Sequence, residues 1–300
     1  MTISRSLSSR VQAIGLTLWS YPAAGTGFRK NGDDVGDLRA RLYAPHRLDH
    51  RLFLLENVLL PGLKRQSDPD FIHLFLMGDQ LPDPWRSRVL DLLAKVPQIT
   101  PIFAPEGRRL NDVCREAIHD HTAADCEVTA QYRLDDDDGL AASFIGESRR
   151  LFDTFEPLYE TQGRFGLDFN RGFILQTTAQ DLTMRPVSMR FWAPGMVVFQ
   201  RRGAKRTALD YNHLKLWHYM PTMTWREEPM FIRGAHHDND SHLSSFGRRA
   251  RGFVFDPHNP RRYFKKTFGV NLNRMQRVWD AQKGYFLQDA PPEVRRLKAG

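Results

Sequence analysis

The residues best suited to chemistry in this chain are four consecutive aspartates, Asp135-Asp136-Asp137-Asp138, within the stretch Gln131 to Leu140. Adjacent carboxylates repel one another, and a bound cation relieves that repulsion. Hard divalent ions such as Mg²⁺ and Mn²⁺ prefer carboxylate oxygen and leave positions open for water and substrate phosphates. Two carboxylates separated by one residue can therefore hold an ion that bridges a diphosphate. The structural alternative is that Asp138 caps a helix starting near Gly139, with its neighbours favouring the helix dipole.

A second concentration lies at Arg233-Gly234-Ala235-His236-His237-Asp238-Asn239-Asp240-Ser241-His242. It offers imidazoles as a third metal ligand, His237 and His242 first among them. Arg233 offers a diphosphate contact, and Asp238 or Asp240 a base for an acceptor hydroxyl. Asn, Asp and Ser also build hydrated turns, which is the plain alternative. A structural zinc site is not expected, because the spacing is irregular and no cysteine is near. Earlier in the chain, Ser20 to Arg29 contains Gly25 and Gly27, where the backbone can approach a nucleotide base or phosphate, or simply make a surface turn. Trp192, Trp217, Tyr219 and Trp225 could stack on a sugar ring, although most aromatics in so Phe-rich a half belong to a core.

These groups need elements to hold them. From Val11 to Arg133 short β-branched runs alternate with helical ones, the pattern of a mostly parallel sheet covered by helices. Strands are predicted at Val11 to Trp19, Phe71 to Met77, Ile99 to Phe103 and Glu127 to Leu134. Helices are predicted at Arg51 to Leu60, Trp85 to Ala94, Leu110 to His119 and Leu140 to Thr154. In the second helix Val89, Leu92, Leu93 and Val96 recur at the spacing of one buried face. Ligands gather beyond the carboxyl ends of such strands, so the loops after Trp19, Met77, Phe103 and Leu134 are where a site is expected. After about residue 155 the rhythm becomes short, aromatic-rich segments with Pro and Gly. The reading is an α/β half at 1–155 that ends in the acidic run and a second half at 156–300 with a basic C-terminal segment, packed as one continuous domain.

With these motifs in order, the chain resembles the bacterial family called putative rhamnosyl transferases. The resemblance is carried by Arg51 to Gln66 (RLFLLENVLLPGLKRQ), Leu81 to Trp85 (LPDPW), Arg133 to Gly139, Asn170 to Phe173 (NRGF) and Pro229 to Ser241 (PMFIRGAHHDNDS). It runs from about Leu16 to His242. Arg133 to Gly139 also looks like the Asp-x-Asp signature of GT-A-fold nucleotide-sugar glycosyltransferases. The resemblance implies a GT-A-like α/β fold: a mostly parallel Rossmann-like sheet, helices on both faces and an acceptor-side extension. It implies metal-dependent transfer of a sugar from a nucleoside diphosphate donor to a hydroxyl acceptor in polysaccharide or glycoconjugate synthesis, with Mn²⁺ or Mg²⁺ on Asp135, Asp137 or Asp138. Asp135 is then expected to face the ribose, with Asp137 and Asp138 holding the ion. Arg133, Arg233, Gly25 and Gly27 become donor contacts. Asp238 and Asp240 are the first choices for the base, with Asp168 next. Four aspartates stand where the family pattern has two or three, so the metal-binding pair is left open.

Composition limits the alternatives. With 41% hydrophobic and 26% charged residues the chain is globular, and no run reaches the ~18 apolar residues of a membrane-spanning helix. Its two cysteines cannot build a disulfide framework, which points to a reducing compartment such as the cytoplasm. Arg5, Arg10 and the apolar run after them have the outline of a secretory signal, but Gln12 and the Gly-rich turn suit a first strand better. Residues 151–300 hold 24 Lys and Arg against 14 Asp and Glu, a net of +10 against −2 for residues 1–150, so the whole net charge of +8 comes from that half. Such a surface attracts phosphate or an anionic inner-membrane face, and a lipid-linked saccharide acceptor would be met there. A basic module binding nucleic acid, and a metal-dependent phosphohydrolase, are the competing readings; nucleic acid is not the expected partner.

Overall fold

The computed structural model describes residues 11–24, 34–238, 251–255 and 257–291. A seven-stranded sheet in the order β10-β6-β9-β4-β1-β2-β3 forms the frame. Its strands are β1 (Val11–Leu18), β2 (Phe71–Gly78), β3 (Ile99–Ala104), β4 (Val128–Asp135), β6 (Arg164–Phe169), β9 (Met196–Arg201) and β10 (Thr222–Trp225). β1 pairs in parallel with both β2 and β4, and β2 with β3, while β9 inserts antiparallel between β4 and β6. The sheet is thus mostly parallel with one antiparallel insertion.

Period-two alternation along β1 builds a core on each face of the sheet. Val11 and Ala13 enter the main cluster, whereas Ile14 and Leu16 enter a second one. The second cluster is closed by α5 (Leu110–Asp120), whose Val113, Cys114, Ala117 and Ile118 recur at helical spacing. The main cluster is closed by α2 (Pro45–Leu54), α4 (Trp85–Leu93) and α6 (Phe144–Gln162). Helices therefore cover both faces. α6 crosses residue 155, so the notional division between the halves falls inside a helix. Three strands from beyond it, β6, β9 and β10, complete the central sheet.

A second, four-stranded sheet has the order β5-β11-β7-β8, with β5 (Gly139–Leu140), β11 (Phe231–Ala235), β7 (Arg171–Thr177) and β8 (Leu182–Ser188). Its first strand corrects the helix predicted from Leu140: that residue pairs with Phe231, and α6 begins only at Phe144. The predicted helix from Arg51 to Leu60 also differs. α2 starts at Pro45, where a proline costs no hydrogen bond, and runs through a π turn (Leu55–Leu59) into α3 (Leu60–Lys64). Pro61 cannot donate to a carbonyl one turn back, which disfavours regular α-helical bonding there. α3 lies directly on β5, for a Cβ at Gly62 would sit 2.5 Å from the Leu140 carbonyl oxygen. The basic C-terminal segment contributes α7 (Pro260–Thr267) and α8 (Leu272–Phe286), which bury Phe264, Met275, Trp279 and Phe286 in the main core. No described helix is long and apolar enough to cross a membrane.

Candidate active site

The chain leaves β1, forms β2 and β3 on one side and returns to form β4 on the other, so β1 and β4 flank the point where the strand order reverses. Loops diverge there and leave a crevice at the strands' carboxyl ends. β4 ends at Asp135, in register with Leu18 at the end of β1. The acidic loop therefore opens into the crevice. The chain then crosses to the second sheet, where Gly139 pairs with Ile232 of β11. β11 delivers Gly234 and, just beyond its end, His236 to the same loop. A Cβ on Gly234 would lie 2.3 Å from Asp137 Oδ2, so only glycine lets this carboxylate rest on the strand. Gly234→Ala is expected to displace Asp137 and to destabilise the fold by about 1–3 kcal/mol, as other additions to a filled site do. Urea titration reads this out, and an unchanged midpoint would refute it.

Asp135, Asp137 and Asp138 each offer an oxygen within 4.8 Å of the others. Asp138 accepts hydrogen bonds from the backbone N–H of Asp135 at 3.0 Å and of Gly234 at 3.3 Å, closing the loop. It caps no helix. Burial, then repulsion from Asp137 and Asp135, pushes its carboxyl well above the usual range. Crowded carboxylates that resist ionisation fit a divalent cation, which restores their charge at low cost. Asp136 differs: it is bound to Arg51 Nη1 at 2.6 Å. Burial still outweighs that guanidinium and holds its carboxyl up at about 6. Asp135 is the outermost of the run, its side chain 46% exposed and held by Arg133 at 2.9 Å.

The base candidates separate. Asp168 is 0% exposed, accepting from the Phe191 N–H at 2.8 Å and the Thr224 hydroxyl at 3.0 Å. Phe191 has φ 58°, a strained conformation for a non-glycine residue that this hydrogen bond anchors. Asp168 therefore reads as a structural carboxylate. Burial lifts its carboxyl to about 7, against the pull of those two bonds. A folded-state value above the unfolded one means stability is lost as pH rises between roughly 4 and 7, by on the order of 1.4 kcal/mol per pH unit. Asp168→Asn is expected to gain stability relative to the parent on going from pH 5 to pH 8 in urea titrations; a constant difference would refute the assignment.

Asp238 accepts from Arg47 Nε at 2.6 Å and Arg51 Nη2 at 3.2 Å. Burial would raise its carboxyl, but the two guanidiniums hold it well below the usual range. So placed, it is a weak base. Asp240, His242, Gly25 and Gly27 lie outside the described residues. Arg233 stacks on Trp192, its guanidinium carbon 4.6 Å from the ring centroid, while Trp217 is 51% exposed. The imidazole against the acidic loop is that of His236, whose Nε2 is 3.2 Å from Asp137 Oδ2. His237 instead faces His50, with ring centroids 6.0 Å apart.

Arg47, His50 and Arg51 escaped sequence reasoning, though all three project from α2 into this region. Arg47 also donates to Ser20 Oγ at 2.9 Å, joining the loop after β1 to Asp238. The available signal was two arginines and a histidine along a helix whose Leu48, Leu52 and Phe53 are buried.

The frame and crevice define a mostly parallel α/β fold with an acidic loop at its switch point. Residues 12–248 match the family described as "Putative rhamnosyl transferase", and the chain belongs to that family. No curated protein matches it. Among solved structures it is similar to S. aureus TarS 1-349, with 9% identity and TM-score 0.40, covering 75% of this chain and 60% of that one. The same protein in complex with UDP-GlcNAc gives 11%, 0.39, 93% and 71%. The 4-diphosphocytidyl-2C-methyl-D-erythritol synthase of Anaerococcus prevotii gives 10%, 0.31, 79% and 92%. The chain thus spans about 60% of the length of the first of these.

Proposed function

We propose that this chain is a glycosyltransferase that binds a nucleoside diphosphate sugar in the β1/β4 crevice and transfers the sugar to a hydroxyl acceptor. The observation that carries the reading is the gathering of Asp135, Asp137 and Asp138 at the switch point. The family's description makes rhamnose the sugar to test first. A divalent ion, Mn²⁺ or Mg²⁺, would supply charge neutralisation at the departing diphosphate. Asp137 and Asp138 would hold it, and Asp135, at the outer edge beside Arg133, would face the ribose. His236 and Gly234 orient Asp137. The acceptor proton needs a base; with Asp168 buried and Asp238 held by arginines, Asp240 is the carboxylate proposed. Asp240→Asn is expected to keep donor affinity and lose turnover by ~10² to 10⁴. Loss of donor affinity instead would move that residue to the metal site.

A saccharide or lipid-linked saccharide is the proposed acceptor, reached at the cytoplasmic membrane face through exposed Arg261, Arg262, Lys265 and Lys266 of α7. Co-sedimentation with anionic but not neutral liposomes at low salt tests this. The function itself is tested by thermal shift with nucleoside diphosphates and their sugars, with and without Mn²⁺. A ligand at 100 times its Kd stabilises the folded state by ~2.7 kcal/mol. Stabilisation that requires nucleotide and Mn²⁺ together is expected; indifference to every nucleotide under both conditions would end the reading.

A further inference from the structure

Beside the acidic loop lies a group that the transfer reaction does not use. His50, from the middle of α2, meets His236 and His237 beyond the end of β11, across 186 residues of sequence. Each offers a ring nitrogen, and these atoms lie within 4.8 Å of one another. His50 is 2% exposed, and its Nε2 has no hydrogen-bond partner. His237 Nδ1 is likewise buried without one. Leaving such atoms unmade costs about 1–3 kcal/mol each, so the arrangement is explained only if something takes up their lone pairs.

The surroundings indicate what. The His50 ring packs on Phe53, Phe286 and Trp279, with centroids 6.4, 5.2 and 5.5 Å away, so one side of the cluster is an apolar wall. Three imidazoles bound to one tetrahedral ion at ~2.05 Å place their ring centroids about 5.2 Å apart. Here the three separations are 5.1, 6.0 and 6.1 Å, so small ring movements suffice, most of them by the partly exposed His237. Nitrogen donors favour zinc and its neighbours, whereas the oxygen donors next door favour Mg²⁺ and Mn²⁺.

We propose that His50, His236 and His237 form a second cation site, adjoining the acidic loop through the His236–Asp137 contact, that takes a borderline-soft divalent ion such as Zn²⁺ and ties α2 to the end of β11. The site goes beyond the glycosyltransferase reading and does not depend on it. In the apo protein the Asp238 N–H donates to His236 Nδ1 at 3.2 Å, which places the ring proton on Nε2 toward Asp137. Ligation through Nδ1 keeps that proton on Nε2, donating to the Asp137 carboxylate, and only the contact from the Asp238 N–H gives way; the neutral ring loses no proton. The ion would fix the start of the segment that carries Asp240. It supplies the zinc site that irregular sequence spacing argued against, because the missing ligand comes from a distant helix.

The test uses the full chain stripped with chelator and titrated with Co²⁺, whose visible bands report nitrogen-rich, low-coordinate binding, and with Zn²⁺ in competition. One equivalent is expected to bind near pH 7, in the parent and in Asp138→Asn alike. His50→Phe and His237→Ala are expected to weaken it by at least ~10²-fold. His50→Phe places an apolar ring among apolar rings, so its metal-free melting temperature should equal or exceed the parent's, which a purely structural histidine would not allow. Absence of a stoichiometric Co²⁺ site, equal binding by both histidine variants, or loss in Asp138→Asn while the histidine variants bind would each overturn the proposal. Mn²⁺-dependent nucleotide binding by His237→Ala is measured alongside: its retention leaves the transferase reading intact whatever the outcome at the histidines.

Discussion

Asp137→Asn is expected to abolish Mn²⁺-dependent nucleotide binding and to lower sugar transfer by ~10³-fold or more, while the protein stays folded. Two features single out this aspartate among four. It lies where a Cβ on Gly234 would collide with it, and its carboxylate meets the His236 ring. Asn keeps the shape and one acceptor oxygen but removes the negative charge that an ion requires of its ligand. The apo protein should lose little, because Asp137 is one of the charges that raise its neighbour Asp138 so far above the usual carboxylate range. Removing one of several crowded carboxylates relieves repulsion, so the melting temperature without metal should stay level or rise. Isothermal titration with nucleoside diphosphate and Mn²⁺, paired with apo thermal denaturation, checks both halves. Unchanged nucleotide binding would detach the acidic loop from the diphosphate, whatever else the chain does.

Much of the frame was legible because its signals are local. Each of β1 to β4 begins or ends within a residue of where β-branched runs placed it, and α4 buries Val89 and Leu93 as the periodicity demands. The position of the acidic loop at a strand end followed from the same patterns. What lay hidden depends on pairing across long separations. Gly139 and Leu140 are only two residues long as a strand, and nothing near them announces a partner at Phe231 and Ile232. The periodicity after Gly139 therefore read as an early helix start. Asp168 illustrates the reverse: it stands as the second choice of base after Asp238 and Asp240, yet it is buried in a mixed sheet and accepts from the Phe191 N–H. On α2 nothing local marks Arg47, His50 and Arg51 as inward-facing; Asp238, His236 and His237 from the second half of the chain close over them.

Arg51 shows how much depends on that closure. Its guanidinium is buried, bound to Asp136 at 2.6 Å and Asp238 at 3.2 Å. Burial opposes its charge, but Asp136 and then Asp238 overcome this and raise its pKa. Arg51→Met should fill much of the space and remove the charge, leaving Asp136 buried with no cation bonded to it and only the weaker field of Arg47. Breaking a buried pair in this way costs about 3–5 kcal/mol, more than the pair itself contributes. Asp238 keeps Arg47 and is affected less. The pH dependence identifies the cause: Asp136 already sits at about 6 in the fold with Arg51 present, above its unfolded value, and losing the guanidinium raises it further. Its penalty is therefore felt above the unfolded pKa and shrinks as pH falls and the carboxyl protonates. Urea titrations should show a larger deficit for Arg51→Met at pH 8 than at pH 5. Adding Asp136→Leu should recover most of the loss, since replacing both members of a buried pair by apolar groups is often neutral. A single variant within 1 kcal/mol of the parent, or a double variant no better than the single, would show the acidic loop to be held by its backbone bonds to β11 instead of by α2.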